Sequence, residues 1–336
     1  MTNPLHLRRR SNKPGSYVPP PVPSGDKLWW SPPALSSPVI KALSNGSRSV
    51  PYGNNTRDLE VTCSEVLTAG VGETYGYGNA RLIAGQFNSY QSPESSGHLI
   101  PRKITGIWHI EGWKFFSSLA GDFVTSRERA AIIQMQACDV NVSHGGISYH
   151  SDCFQTQITQ IDELRIDRCT FRSDWTSVVL INESPIASSP AASFVNHTVV
   201  RRTVFYRGQL VKNMCLFLSK PPKPGNVALG LIEMYDVWME DSNICYPGTD
   251  FGQWDGGSTK FGAFRINKLH ANGNIYPFWK FSTSADTAPS GGAAADCNVR
   301  GDGGVWIFPQ GGSPPAGLNL GAPANAGMGY TSPGYL

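Results

Sequence analysis

The pattern apolar–x–apolar–x–x–apolar–x–apolar runs through the middle of the chain. It is clearest at Leu164-Arg165-Ile166-Asp167-Arg168-Cys169-Thr170-Phe171, and recurs from Trp108 to Phe115, Ile133 to Val140, Ile232 to Met239 and Phe264 to Ala271. Weaker copies start at Thr198, Leu82 and Cys297, which gives starts 25 to 34 residues apart. Outward positions alternate with inward ones, as strands require, and the central x–x interrupts the alternation. Two short strands meeting at a bend explain this, each sending two apolar side chains inward. A unit that recurs at this period and cannot bury its own apolar face must stack on its neighbours. The expected stacks are Trp108/Ile133/Leu164/Thr198/Ile232/Phe264 before the bend and Trp113/Cys138/Cys169/Thr203/Val237/Leu269 after it.

The fold class expected from this pattern is all-β: a right-handed single-stranded parallel β-helix of about seven to eight coils with extended N- and C-terminal arms. An antiparallel sandwich or jelly roll also yields short strands and turns, but needs neither a fixed period nor a recurring octad. The expected divisions are an extended Pro-rich basic arm over 1–58, a β-helix body over 59–309 and a Gly/Pro-rich arm over 310–336.

Charge sharpens the picture at the two ends. Residues 1–50 hold nine of the 25 prolines, seven Lys/Arg and a single acid, Asp26, so a basic arm precedes a mildly acidic body. Val18–Pro23 should be polyproline II. Arg8, Arg9, Arg10, Trp29 and Trp30 are the candidate partner anchors, since adjacent indoles on an extended arm suit a groove on a neighbour. Folding back onto the chain's own body is the alternative for the two tryptophans. Residues 310–336 carry seven Gly, four Pro and no charge, and should lie on a surface, their own or a neighbour's. The basic start lacks an apolar run after it, so no secretory signal is expected, and no stretch reaches the ~18 apolar residues of a membrane span.

Seven cysteines (63, 138, 153, 169, 215, 245, 297) form no C-x-x-C pair, so neither a zinc site nor a thioredoxin-type centre is indicated. Cys138 and Cys169 share one octad position and should stack as small core residues. Free thiols are expected, with cross-links at Cys63, Cys153, Cys245 or Cys297 left open. Asp250–Asp255 lacks EF-hand spacing, Arg300-Gly-Asp302 sits in a Gly-rich turn, and no phosphate-binding glycine pattern follows a strand. No metal and no cofactor are called for.

Chemistry, if present, would fall to carboxylates. Sugar cleavage needs two of them, ~5 Å apart for retention or ~6.5–9.5 Å for inversion, and stacked strands lie ~4.8 Å apart. The fourth octad position reads Glu111, Gln136, Asp167, Arg201, Tyr235, Asn267. Glu111 and Asp167 could thus form an acid/base pair, or equally a hydrogen-bonded polar stack at the bend. Asp152, near His144 and His150, is the third weak catalytic candidate, or else a capping aspartate in a turn.

The octads over about 82–305 resemble the right-handed parallel β-helices of the pectate-lyase-like superfamily. His150-Ser-Asp-Cys-Phe-Gln155 looks like the His-x-Asp-Gly-hydrophobic-Gln stretch of many such chains, with Cys153 in place of glycine. That superfamily includes polysaccharide lyases, glycoside hydrolases and bacteriophage tail-spike and virion proteins, and the two arms of this chain suit the virion branch. The resemblance implies a non-enzymatic structural protein of a tailed bacteriophage virion: a spike, fibre or decoration subunit. It would be a homotrimer held through residues 1–50 to capsid, collar or tail proteins, with outward Trp175, Tyr206 and Trp238 available to the trimer contact. The alternative is a spike that binds or depolymerises a host-surface glycan in host attachment. A membrane partner is not expected, and the Arg8–Lys13 cluster suits an acidic protein neighbour as well as nucleic acid.

Overall fold

The computed structural model describes residues 25–89, 98–117, 121–142, 152–173, 177–181, 194–207, 214–218, 231–239, 243–245, 264–271, 274–276, 279–281, 298–299, 305–307 and 319–336. These residues are all-β and contain no helix.

Three parallel ladders account for most of the strands. The first runs through β1 (Val39–Leu43), β2 (Leu59–Cys63), β4 (Ala80–Ile83), the second half of β6 (Leu99–Glu111), of β8 (Val124–Gln136) and of β10 (Phe154–Asp167), then β14 (His197–Arg201), β17 (Leu231–Met239) and β19 (Phe264–Ala271). The second, beyond the bend, runs through β5 (Gln86–Ser89), β7 (Lys114–Ser117), β9 (Asp139–Val142), β11 (Thr170–Ser173), β15 (Val204–Arg207) and the end of β17. The third joins β3 (Gly72–Tyr75), the starts of β6, β8 and β10, then β12 (Ser177–Ile181), β16 (Met214–Leu218) and β18 (Asn243–Cys245). A two-residue strand, β13 (Phe194–Val195), pairs with the middle of β10.

The octad is the register of the first two ladders. Trp108, Ile133, Leu164, Thr198, Ile232 and Phe264 are successive partners. Beyond the bend, the carbonyls of Trp113, Cys138 and Cys169 accept from the N–H groups of Asp139, Thr170 and Val204. Two copies are corrected. The partner of Trp108 is Ala80, not Leu82, so that repeat begins two residues earlier, and Leu59 and Val39 continue the ladder beyond it. The ladder therefore starts inside the segment 1–58 that sequence assigned to the arm. After the proposed Cys297 start, Asn298–Val299 pairs antiparallel with Val305–Ile307, as do β18 with Val305–Ile307 and β19 with Asn274–Tyr276 and Trp279–Phe281, so this copy does not extend the parallel series.

The bend has a specific backbone solution. The residue after the fourth octad position takes positive φ in five successive repeats: Ala84 (58°), Gly112 (66°), Ala137 (55°), Arg168 (51°) and Arg202 (39°). One left-handed residue turns the chain sharply without breaking the ladder: the N–H groups of Ala84, Gly112, Ala137 and Arg168 donate to the carbonyls of Glu111, Gln136, Asp167 and Arg201. Four of the five are not glycine, and each such residue costs on the order of 1 kcal/mol or more, which the ladder must offset. A second bend uses Gly76 (73°), Lys103 (49°) and Glu128 (57°). Between the ladders lies one continuous apolar core. Trp113 fits where other repeats carry cysteine because Gly85 leaves it room: a Cβ there would stand 2.4 Å from the indole.

At Gly112 both conformation and space require glycine, since a Cβ would meet the Tyr330 ring at 2.1 Å. Gly112→Ala is expected to destabilise the protein by about 2–4 kcal/mol, the sum of left-handed strain and overpacking. A urea midpoint shifted to lower concentration with unchanged slope checks this.

Candidate functional site

The fourth octad position forms a single column on the bend. Ile83, Glu111, Gln136, Asp167 and Arg201 are consecutive register partners. Of these, Glu111, Gln136 and Asp167 are fully buried and Arg201 is nearly so. Polar groups removed from water in this way need partners, or each costs a few kcal/mol. The partners come from the two ends of the chain.

Residues 25–31 cross the column as an extended strap. Asp167 accepts from the Trp29 N–H (2.9 Å). The Gln136 amide reads both sides of Trp30, accepting from its N–H (3.0 Å) and donating to its carbonyl (2.7 Å). Gln134 donates to the Ser31 carbonyl (3.0 Å). Three guanidiniums meet the strap, and Asp167 neutralises one of them: Arg202 donates through Nε (2.9 Å) and Nη2 (2.5 Å) to its two oxygens. The strap serves the rest, and its Asp26 carboxylate stands 3.5 Å from Arg168 Nη1. Arg202 also donates to the carbonyls of Lys27 and Gly25, and Arg168 donates to the carbonyl of Asp26 at 2.6 Å. The Arg201 guanidinium stacks 3.4 Å from the centre of the Trp29 ring. Burial, then the neighbouring Arg202, depresses the Arg168 pKa.

Residues 319–336 run beside the strap. The turned-out carbonyls of Arg202 and Gly112 accept from the N–H groups of Gly321 and Gly327. Tyr330 and Tyr335 donate their hydroxyls to the two oxygens of Glu111, each at 2.9 Å. Burial acts to raise the Glu111 pKa, but hydrogen bonds led by that from His109 more than offset it and hold the carboxyl below its usual value. Burial and the adjacent carboxylate push Tyr330 up, and Tyr335 up to about 12, so both stay protonated donors. The two ends are joined directly: Leu28 donates to Gly334 and accepts from Leu336, and its side chain is buried with Ala137 and Tyr330.

Glu111 and Asp167 thus stand two repeats apart with Gln136 between them, as the octad alignment requires. The chain's own strap and tail occupy their oxygens, leaving no space over them for a polymeric substrate. Asp152 is elsewhere, fully buried beside the third ladder, where its N–H donates to Asp122 (3.0 Å) and its carbonyl accepts from Phe123. His144, His150, Trp175, Asp250–Asp255, Arg300–Asp302 and Arg8, Arg9 and Arg10 lie outside the described residues. Trp29 and Trp30 are half-buried on their own body, the alternative that sequence left open. Tyr206 is half-buried too, with the Arg172 guanidinium 4.6 Å from its ring centre. Cys63, Cys138, Cys153 and Cys169 are free thiols, and burial raises the Cys153 and Cys169 pKa values. Among the described residues no group of three or more His, Cys, Asp or Glu could hold a metal ion, and no helix is long and apolar enough to cross a membrane.

Sequence reasoning missed Tyr330, Tyr335, His109, Gln134 and Arg202. The second octad position gave a signal for two of them, since Arg81, His109, Gln134 and Arg165 form an all-polar row of register partners. Comparison of the chain with family profiles, curated proteins and solved structures finds no match.

Asp167→Asn should cost about 3–5 kcal/mol, because it strands the buried Arg202 charge; chemical denaturation measures this. The contribution of Glu111 has the opposite sensitivity to that of a group raised on folding. Its pKa is depressed, so the stabilisation is full above the ordinary carboxylate range and fades as pH falls through the lower folded value. Glu111→Gln should flatten the fall in stability that the wild-type protein shows in that acid range.

Proposed function

We propose that the chain is a non-enzymatic structural protein of a tailed bacteriophage virion: a spike, fibre or decoration subunit built on a right-handed single-stranded parallel β-helix. The observation that carries this reading is the use of both chain ends to saturate the one column of carboxylates that could have done chemistry. Glu111 and Asp167 hold the tail and the strap in place. A body in which such groups are spent on cohesion suits a load-bearing part.

The three recurring parallel ladders support the β-helix, since a chain that bends after each short strand and returns in register stacks in this way. Residues 1–24, with four Lys/Arg and no acid, precede the docked strap and are the part assigned to binding. Arg8, Arg9 and Arg10 would meet an acidic surface on a capsid, collar or tail protein. In a homotrimer three such arms act together, and linked contacts raise the overall affinity well above that of one arm. Trp29 and Trp30 serve the subunit first, by fixing where the arm leaves the body.

Since β1 and the strap belong to the body, the informative truncation removes residues 1–24 rather than 1–50. The shortened chain is expected to sediment as a folded trimer yet fail to enter particles. Incorporation at the full-length level overturns the anchoring role. The glycan-cleaving reading is tested separately, with alanine at Glu111, Asp152 and Asp167: loss of a measurable depolymerase activity would sink the structural one.

A further inference from the structure

His109 lies fully buried at the second octad position, between Gln134, which holds the strap, and Glu111, which holds the tail. Its protonation state can be deduced from its neighbours. Gln134 Oε1 accepts from Arg165 Nη1 (3.1 Å), which fixes the orientation of the amide. Gln134 Nε2 therefore faces both the Ser31 carbonyl (3.0 Å) and His109 Nδ1 (2.9 Å) and donates to each. Nδ1 must then be an acceptor, and the proton of the neutral ring sits on Nε2, which donates to Glu111 Oε2 at 3.0 Å. Every donor and acceptor in this chain of contacts is matched only while His109 is neutral.

A second proton on His109 would go to Nδ1, where it faces the N–H of Gln134. The amide relieves that clash by turning over, which places its oxygen toward His109 and also toward the Ser31 carbonyl, and its NH2 toward Arg165. One contact is gained. The hydrogen bonds to Ser31 and from Arg165 are lost, and both become like-with-like.

We propose that His109 is the trigger of an acid-operated latch: its protonation turns the Gln134 amide, releases Ser31 and loosens Trp29–Ser31 from the body. The inference stands on this network alone and does not depend on the virion reading.

The groups facing His109 set the direction of the effect. Glu111, on its own strand, favours the proton. Burial opposes it, as does Arg81 on β4. Arg165 on β10 stands beyond Gln134 and is paired with Glu163 at 2.7 Å. Tyr330 and Tyr335 on the tail reach His109 only through Glu111. Burial dominates, so His109 lies below the ordinary histidine value of 6.5. The latched form binds the proton less readily than a released one. Stability of the latch is therefore full above the ordinary value and is lost as pH falls toward the folded one. Glu111 remains ionised in mild acid and keeps the tail, so the strap loosens first.

Hydrogen exchange on the full-length protein, corrected for intrinsic rates, tests this. Between about pH 7.5 and about pH 5 the protection of the Trp29 and Trp30 amides should fall by about tenfold or more, while β6 and β8 stay protected. In His109→Gln, which cannot titrate, that fall should disappear. Should this variant not fold, Gln134→Met, which removes the turning amide, should also abolish the pH dependence. Protection of Trp29 and Trp30 that does not change with pH in the wild-type protein overturns the proposal. So does a fall of equal size in the folded variant.

Discussion

Four successive repeats of this protein turn the chain at a point where a polar side chain, Glu111, Gln136, Asp167 or Arg201, is carried into the interior, and that polar side chain has to be satisfied. This constraint organises the rest. The bend needs a residue in the left-handed region, and the turn of backbone directs carbonyls such as those of Gly112 and Arg202 away from the ladder. The residue before the bend stacks on its equivalents to form the column Glu111–Gln136–Asp167–Arg201. Neither the carbonyls nor the column can be left buried without partners. The strap and the tail supply them, and so become part of the fold rather than appendages to it.

The chemistry of the column also explains the form of the strap. Asp167 can neutralise one of Arg168, Arg201 and Arg202. The remaining cationic surface takes main-chain carbonyls, the Asp26 carboxylate and an indole face, all of them offered by the strap. The tail solves the complementary problem at Glu111, where hydroxyl donors stabilise a carboxylate without introducing a buried cation. The mutual contacts of Leu28 with Gly334 and Leu336 tie the strap and the tail together, so that part of the entropy lost in ordering them is offset by shared hydrogen bonds.

Much of the body was legible because strand alternation leaves a local signature. The octad identified the inward residues, the bend and the column, and strand pairing follows it residue by residue from Trp108 to Phe264. It failed where side chains are small. Ala80 does not announce an inward position, so the eye moves to Leu82; Val39 and Leu59 precede short repeats whose second strand has no apolar pair. The strap and the tail were not legible in the same way. Their contacts with the body and with each other span 103 residues or more and join tyrosine hydroxyls, amides and main-chain groups, none of which has a period. Composition led to the expectation that the uncharged tail should lie on a surface, its own or a neighbour's. That the surface is its own, over Glu111, follows only from the folded geometry.

The terminal segments are structural members that saturate the buried column. The most direct measurement is the urea unfolding of a chain ending at residue 318, compared with the full-length protein. Loss of the tail leaves Glu111 without Tyr330 and Tyr335 and Leu28 without its backbone partners. The midpoint is expected to fall by the equivalent of about 3 kcal/mol or more, together with faster hydrogen exchange at Trp29 and Trp30. An unchanged midpoint with unchanged protection of the strap would contradict this structural role.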